Sequence, residues 1–134
     1  MAPSAFANQL NATLAGSPHE PYLRMFDALN RVASTLEAWL RTPAARLVVS
    51  VQVEPGFPAE IGQQFNIVVH IRDREVSDTL FRAYVSLDGR TSLDFFGEEP
   101  TIVTDENELQ RHVLEFLARP EVKSRLMIYK KLAE

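Results

Sequence analysis

Glu108, His112 and Glu115 recur at spacings of four and three residues. On a helix that spacing lines three side chains along one side. An imidazole between two carboxylates is a donor set suited to zinc or iron. Arg111 lies beside them, no second ligand group occurs elsewhere in the chain, and regularly spaced charges are what a solvated helix flank carries. The ordinary structural explanation is therefore preferred, and neither a metal nor another cofactor is expected.

A second group rests on alternation. His70, Arg82, Tyr84 and Asp94 fall at the polar positions of segments that alternate with period two, together with Asn66 and Ser92. A register that keeps the apolar positions together sets Arg82 opposite Asp94, with His70 at a similar level on the neighbouring strand. A histidine beside a carboxylate and a guanidinium can act as a general acid or base when a pocket encloses it. Open sheet faces seldom enclose one. An exposed Arg–Asp pair with a bystander histidine is worth well under ~1 kcal/mol. Ligand binding or catalysis at this polar cluster is accordingly the alternative reading.

Common catalytic signatures are missing. The five glycines are too scattered for a G-x-G-x-x-G or phosphate-binding loop. Neither a G-x-S-x-G elbow nor an H-E-x-x-H pair can be written. Without cysteine, disulfides, thiolate metal sites, iron–sulfur clusters and thiol nucleophiles are excluded. With 14 basic against 18 acidic residues the formal charge is −4, which disfavours generic nucleic-acid binding.

The elements that must position these residues can be read from periodicity. The length, 134 residues, suits one domain with a self-sufficient core. Residues 1–16 lack a basic start and a continuous apolar run, so no secretory signal is expected there. Ser4 can cap a short helix carrying Phe6, Leu10 and Leu14, stopped at Gly16. This segment is expected to be weakly ordered or short-helical, and residues 17–134 to form a single α+β domain. Ser17-Pro18-His19-Glu20 reads as a capping box. Tyr22, Phe26, Leu29, Ala33, Leu36 and Leu40 then mark the buried stripe of a long helix, widened by Met25, Val32 and Trp39. Thr42-Pro43 ends it.

From Leu47 to Phe96 the period changes to two. Leu47–Val53, Phe65–Ile71, Phe81–Val85 and Ser92–Phe96 read as four strands, the first ended by Pro55-Gly56, with no helix between them. Short connections make this an antiparallel meander. A two-residue turn at Asp88-Gly89 would pair Tyr84 with Leu93 and mix the two faces. A three-residue loop, Leu87-Asp88-Gly89, pairs Ala83 with Leu93, with Gly89 left-handed. Helix returns after Thr104 or Asp105, with Leu109, Val113, Phe116 and Leu117 inward, and breaks at Arg119-Pro120. A last helix carries Val122, Leu126 and Tyr129. Its bases, and the acids of residues 98–108, suit dipole compensation better than an RNA-binding surface. The helices are expected mainly on one sheet face.

The other face is mixed. Val48, Val68, Leu80, Tyr84 and Phe96 interrupt its polar positions. Apolar groups rimmed by polar ones mark a partner surface unless the N-terminal segment or a late helix covers them. Val48, Val68, Tyr84 and Phe96 are the interface candidates.

In size, acidic charge and helix-first α+β layout the chain resembles the small acidic secretion chaperones, which usually insert a helix among the strands. The resemblance implies a partner-binding protein. The leading expectation is a non-enzymatic protein-interaction module whose partner is itself, as a homodimer, or another protein. Nothing in the chain is apolar for the ~20 residues a membrane span needs, and a cytoplasmic site is expected. Abundant Arg and Ala fit a GC-rich bacterial genome.

Overall fold

In the computed structural model, residues 4–14, 20–54 and 62–134 are described. Helix α1 (Ala5–Leu14) precedes α2 (Glu20–Leu40). Strands β1 (Leu47–Val53), β2 (Gly62–Ile71), β3 (Val76–Ser86), β4 (Thr91–Asp94) and β5 (Thr101–Val103) follow, then α3 (Glu106–Leu117) and α4 (Pro120–Leu132). The strands pair in sequence order as an antiparallel meander. The sheet thus has five strands where four were expected. β5 is only Thr-Ile-Val, too short to show alternation, and it follows a reversal at Phe96 (φ +56°) and Gly97 (φ +78°).

Local chemistry explains most boundaries. Ser4 Oγ accepts a hydrogen bond from Ala7 N at 3.1 Å, capping α1. Asp105 caps α3 by accepting from Glu108 N at 2.8 Å, and Glu108 Oε2 accepts in return from Thr104 N at 3.0 Å. Pro120 occupies the first turn of α4, where its missing N–H costs nothing. The capping box at residues 17–19, Gly16 and the Pro55-Gly56 strand end lie outside the described residues.

The Leu87-Asp88-Gly89 loop closes as its register requires. Ala83 pairs with Leu93 and Val85 with Thr91. Gly89 N donates to Ser86 O at 2.9 Å, and Gly89 has φ +87°. Asp88 Oδ1 accepts from Ser86 Oγ and Arg90 N, and these bonds hold its carboxyl below the ordinary range.

One core holds the elements together. Every buried residue of α2, α3 and α4 belongs to one cluster with Leu47, Val49, Phe65, Ile67, Val69, Ile71, Ala83, Val85 and Leu93. The helices therefore cover one sheet face. Phe81, Phe95 and Phe116 meet there, with Phe95 stacked on Phe116 at 4.6 Å between ring centroids. Trp39 departs from the expected stripe. It is 60% exposed, at the edge of the apolar face, with Lys130 Nζ 5.2 Å from its ring centroid.

β3 contains a bulge. Ile67 opposes Phe81, yet Val68 opposes Thr79, which leaves Leu80 as an extra residue. The alternation changes phase there. C-terminal to the bulge, Phe81, Ala83 and Val85 face the helices. N-terminal to it, Val76, Asp78 and Leu80 do so. Leu80 is therefore fully buried in the core, not on the mixed face where strict alternation would place it.

The edge at β1 is partly closed by a helix side chain. Arg72 N donates to Arg46 O and Glu54 N to Gln64 O, so the intervening even-numbered residues of β1 bond to β2. The odd-numbered amides point outward, and Val49 N donates to Glu37 Oε1 of α2 at 2.9 Å. This occupies an edge group that would otherwise template another strand.

Candidate functional site

The outer face of the sheet is built from cross-strand rows. Val48, His70 and Ser77 form one row, and Ser50, Val68 and Thr79 the next. Gln52, Asn66, Arg82 and Asp94 cross four strands, and beyond them Gln64, Tyr84, Ser92 and Ile102 do the same. No outer-face residue of these rows belongs to the main core, and α1 buries none of its residues.

The register separates the expected polar cluster. Arg82 does oppose Asp94, but its row partner on β2 is Asn66. His70 lies four residues from Asn66, about 13 Å along the strand at the usual rise. The shift at Leu80 turns Ser77 and Thr79, rather than Asp78, toward His70's side of the sheet. A His70–Arg82–Asp94 constellation is thus not assembled.

The charged members of the row have other occupations. The Arg82 guanidinium lies over the Phe96 ring, 5.4 Å from its centroid. Asp94 Oδ1 accepts from Phe96 N at 2.9 Å, fixing the reversal that carries that ring. Asn66 Nδ2 donates to Glu54 Oε2. Arg82 Nε and Asn66 Oδ1 are buried without a hydrogen-bond partner. Tyr84 packs across to β2. A methyl group added to Gly62 would come within 2.5 Å of Val85 O and 2.9 Å of the Tyr84 hydroxyl oxygen, so glycine there makes room for the β3 backbone as well as the phenol.

The interface candidates differ in accessibility. Phe96 is 40% exposed, and Ile102, which the four-strand expectation overlooked, is 54% exposed. Val48 and Tyr84 are half-buried. Val68 is only 5% exposed, so it serves the subunit's own packing. Its place in the middle of β2, flanked by Ser50 and Thr79, explains this.

A titratable cluster missed by sequence reasoning lies on the helix side. Arg125 Nη2 donates to Asp78 Oδ2 at 2.7 Å, and Tyr129 Oη donates to the same oxygen. Burial alone would raise the Asp78 carboxyl. The bonds from Tyr129 and Arg125 outweigh it and hold the carboxyl below its ordinary value. Burial and the bond to Asp78 raise Tyr129. With one carboxylate oxygen taken by two donors, the group is an anchor of α4 to β3. Its sequence signal was the adjacent pair Leu80-Phe81, two large apolar residues where alternation allows one.

The helical trio of Glu108, His112 and Glu115 is divided. Glu108 is engaged in capping α3, while His112 Nδ1 lies 3.6 Å from Glu115 Oε2. Among the described residues no group of three His, Cys, Asp or Glu side chains is placed to hold a metal ion. A groove of about 470 Å³ lies between α2, Gly89 and the start of α3. Its arginines are paired, Arg24 with Glu20 and Arg31 with Glu106, both at 2.6 Å. The acidic stretch also meets a base at Arg119, whose Nη2 donates to Glu98 Oε2 at 2.7 Å.

No protein-family model, curated protein or solved structure matches the chain. No helix among the described residues is long and apolar enough to cross a membrane.

Proposed function

We propose that this chain is a non-enzymatic protein-interaction module that forms a homodimer through the outer face of its sheet. The observation that carries the reading is the one-sidedness of the core. All buried helix residues lie against one face, while Tyr84, Phe96 and Ile102 lie on the other at contiguous rows. Phe96 supports it further. A bulky residue at positive φ is strained, and here the strain holds an aromatic ring outward over Arg82. Contiguous apolar groups within a polar rim suit a partner surface. A bacterial, cytoplasmic module is part of this reading, in keeping with abundant Arg and Ala, and the acidic balance disfavours nucleic acid. A different protein, as for the secretion chaperones, is the variant of this reading in which the same face meets an unlike partner.

A second reading has one observation in its favour. Arg82 Nε and Asn66 Oδ1, opposed on β3 and β2, lack partners among the described residues, and a small ligand with complementary groups would satisfy them.

Sedimentation velocity across micromolar concentrations tests the first reading. The native chain should sediment as a dimer, and Ile102→Lys as a monomer with an unchanged far-ultraviolet spectrum. A native chain that stays monomeric at high micromolar concentration overturns the dimer.

A further inference from the structure

Among the described residues, two surfaces lack a covering layer. The first is the outer sheet face. The second is α1, whose ten residues AFANQLNATL include no charge. Phe6, Leu10 and Leu14 form a stripe at four-residue spacing, and all three are exposed, Phe6 by 68%. A ten-residue helix is too short to persist in water on local interactions alone. One with an apolar stripe and an uncharged polar side is suited to lie against another surface.

We infer that α1 of each chain seats on the outer sheet face of a second copy, so that a pair of chains exchanges N-terminal helices. This rests on the dimer reading above and names what occupies the face.

Dimensions favour the fit. At 1.5 Å per residue α1 is about 15 Å long, and at about 4.8 Å between strands it bridges three to four of the five strands. An uncharged helix can lie over this face without burying an unpaired ion. Its Asn8, Gln9, Asn11 and Thr13 flank the stripe with side chains that both donate and accept. Exchange also doubles the contact, because each chain contributes a helix and a face. That brings the buried area to the order of the ~800 Å² per partner of a specific interface.

Chain connectivity argues against a helix seated on its own sheet. α2 begins on the helix side, next to the β3–β4 loop, where a methyl group on Gly89 would come within 2.9 Å of Pro21 Cβ. From Leu14 to Glu20 there are six Cα steps, a reach of about 20 Å at most. Each packed layer adds about 10 Å. Passing from the helix layer to the far side of the same sheet would use that entire reach, and the same limit requires the partner's outer face to lie beside the start of α2, with the two sheets side by side and not face to face.

The absence of cysteine makes the test direct. Ala7→Cys places a thiol on α1 beside the stripe, and Ser50→Cys places one on the outer face. Each full-length variant is checked for native circular dichroism, then treated with a short bismaleimide. Cross-linked dimers should form several-fold faster in an equal mixture than in either variant alone. In the doubly substituted chain, linkage should be intermolecular and should fall with dilution. Equal rates in mixed and separate samples, or linkage within one chain that survives dilution, overturns the exchange. Leu10→Lys separates the two readings. It should abolish the dimer as Ile102→Lys does. If Ile102→Lys yields monomers and Leu10→Lys leaves the dimer intact, the face is the interface and α1 is not its occupant. A native chain that is monomeric throughout overturns both.

Discussion

The guanidinium of Arg82 and the ring of Phe96 meet at 5.4 Å, with Phe96 at a φ of +56°. The left-handed region costs an L-residue on the order of 1 kcal/mol. An exposed cation–π contact returns ~0.5–1 kcal/mol. For the lone subunit the two nearly cancel.

Phe96→Asn separates these contributions. Asparagine accepts the same backbone conformation but removes the ring. Subunit stability should change by less than about 1 kcal/mol. Self-association should weaken tenfold or more, about 1.4 kcal/mol. Urea unfolding and sedimentation equilibrium on the same samples measure both, and parallel losses in the two would show that Phe96 serves folding alone.

Gly89→Ala should be destabilising for two reasons. The residue holds φ +87°, and the new methyl group would press on Pro21 at the start of α2. A cost of ~1–3 kcal/mol is expected, read as a lower urea midpoint at unchanged slope.

Val68→Glu should destabilise the subunit itself rather than merely divide a dimer. Val68 is buried within its own chain, and a buried carboxylate without a partner costs on the order of 3 kcal/mol. Thermal melts followed by circular dichroism should show a large fall in midpoint, whereas Ile102→Lys should leave it nearly unchanged.

Tyr129→Phe removes one donor from Asp78 and should cost about 1 kcal/mol near neutral pH, allowing for the partial exposure of the carboxylate. The difference from the native chain has a definite pH dependence. Asp78 is held below its ordinary value in the fold, so its stabilisation is present above the unfolded value of about 3.9 and lost as pH falls through the lower folded value. Tyr129 is raised, so its contribution is present below about 10 and lost as pH rises through the higher folded value. The difference in unfolding free energy between the two chains, measured from pH 2 to 11, should narrow toward both extremes. A constant offset would exclude the Tyr129–Asp78 bond as the source.

Much of this architecture was legible because burial writes a period into the chain. Leu29, Ala33, Leu36 and Leu40 announced α2, and the Ala83–Leu93 pairing followed from keeping apolar positions on one face. Trp39 misled because its spacing matches the stripe, while the rim of a helix face can turn a large ring outward beside Lys130. β5 escaped because three residues cannot display a period. The expected polar cluster failed for a different reason. Alternation specifies which side a residue faces, but not its level along the neighbouring strand, and the β2–β3 register put Asn66, not His70, beside Arg82. Asp78 was hidden by the same bulge that carries Leu80 inward.

That extra residue gives β3 two reading frames in one strand. Deleting Leu80 would merge them. Ser77 and Thr79 would stay on the outer face and Asp78 on the helix side, because Thr79 already opposes Val68 and Phe81 opposes Ile67, and the core would lose only the Leu80 side chain. The outer pattern from Arg82 to Ser86 would be untouched. The bulge is therefore a place where β3 takes in one more core side chain without changing which residues face the helices on either side of it.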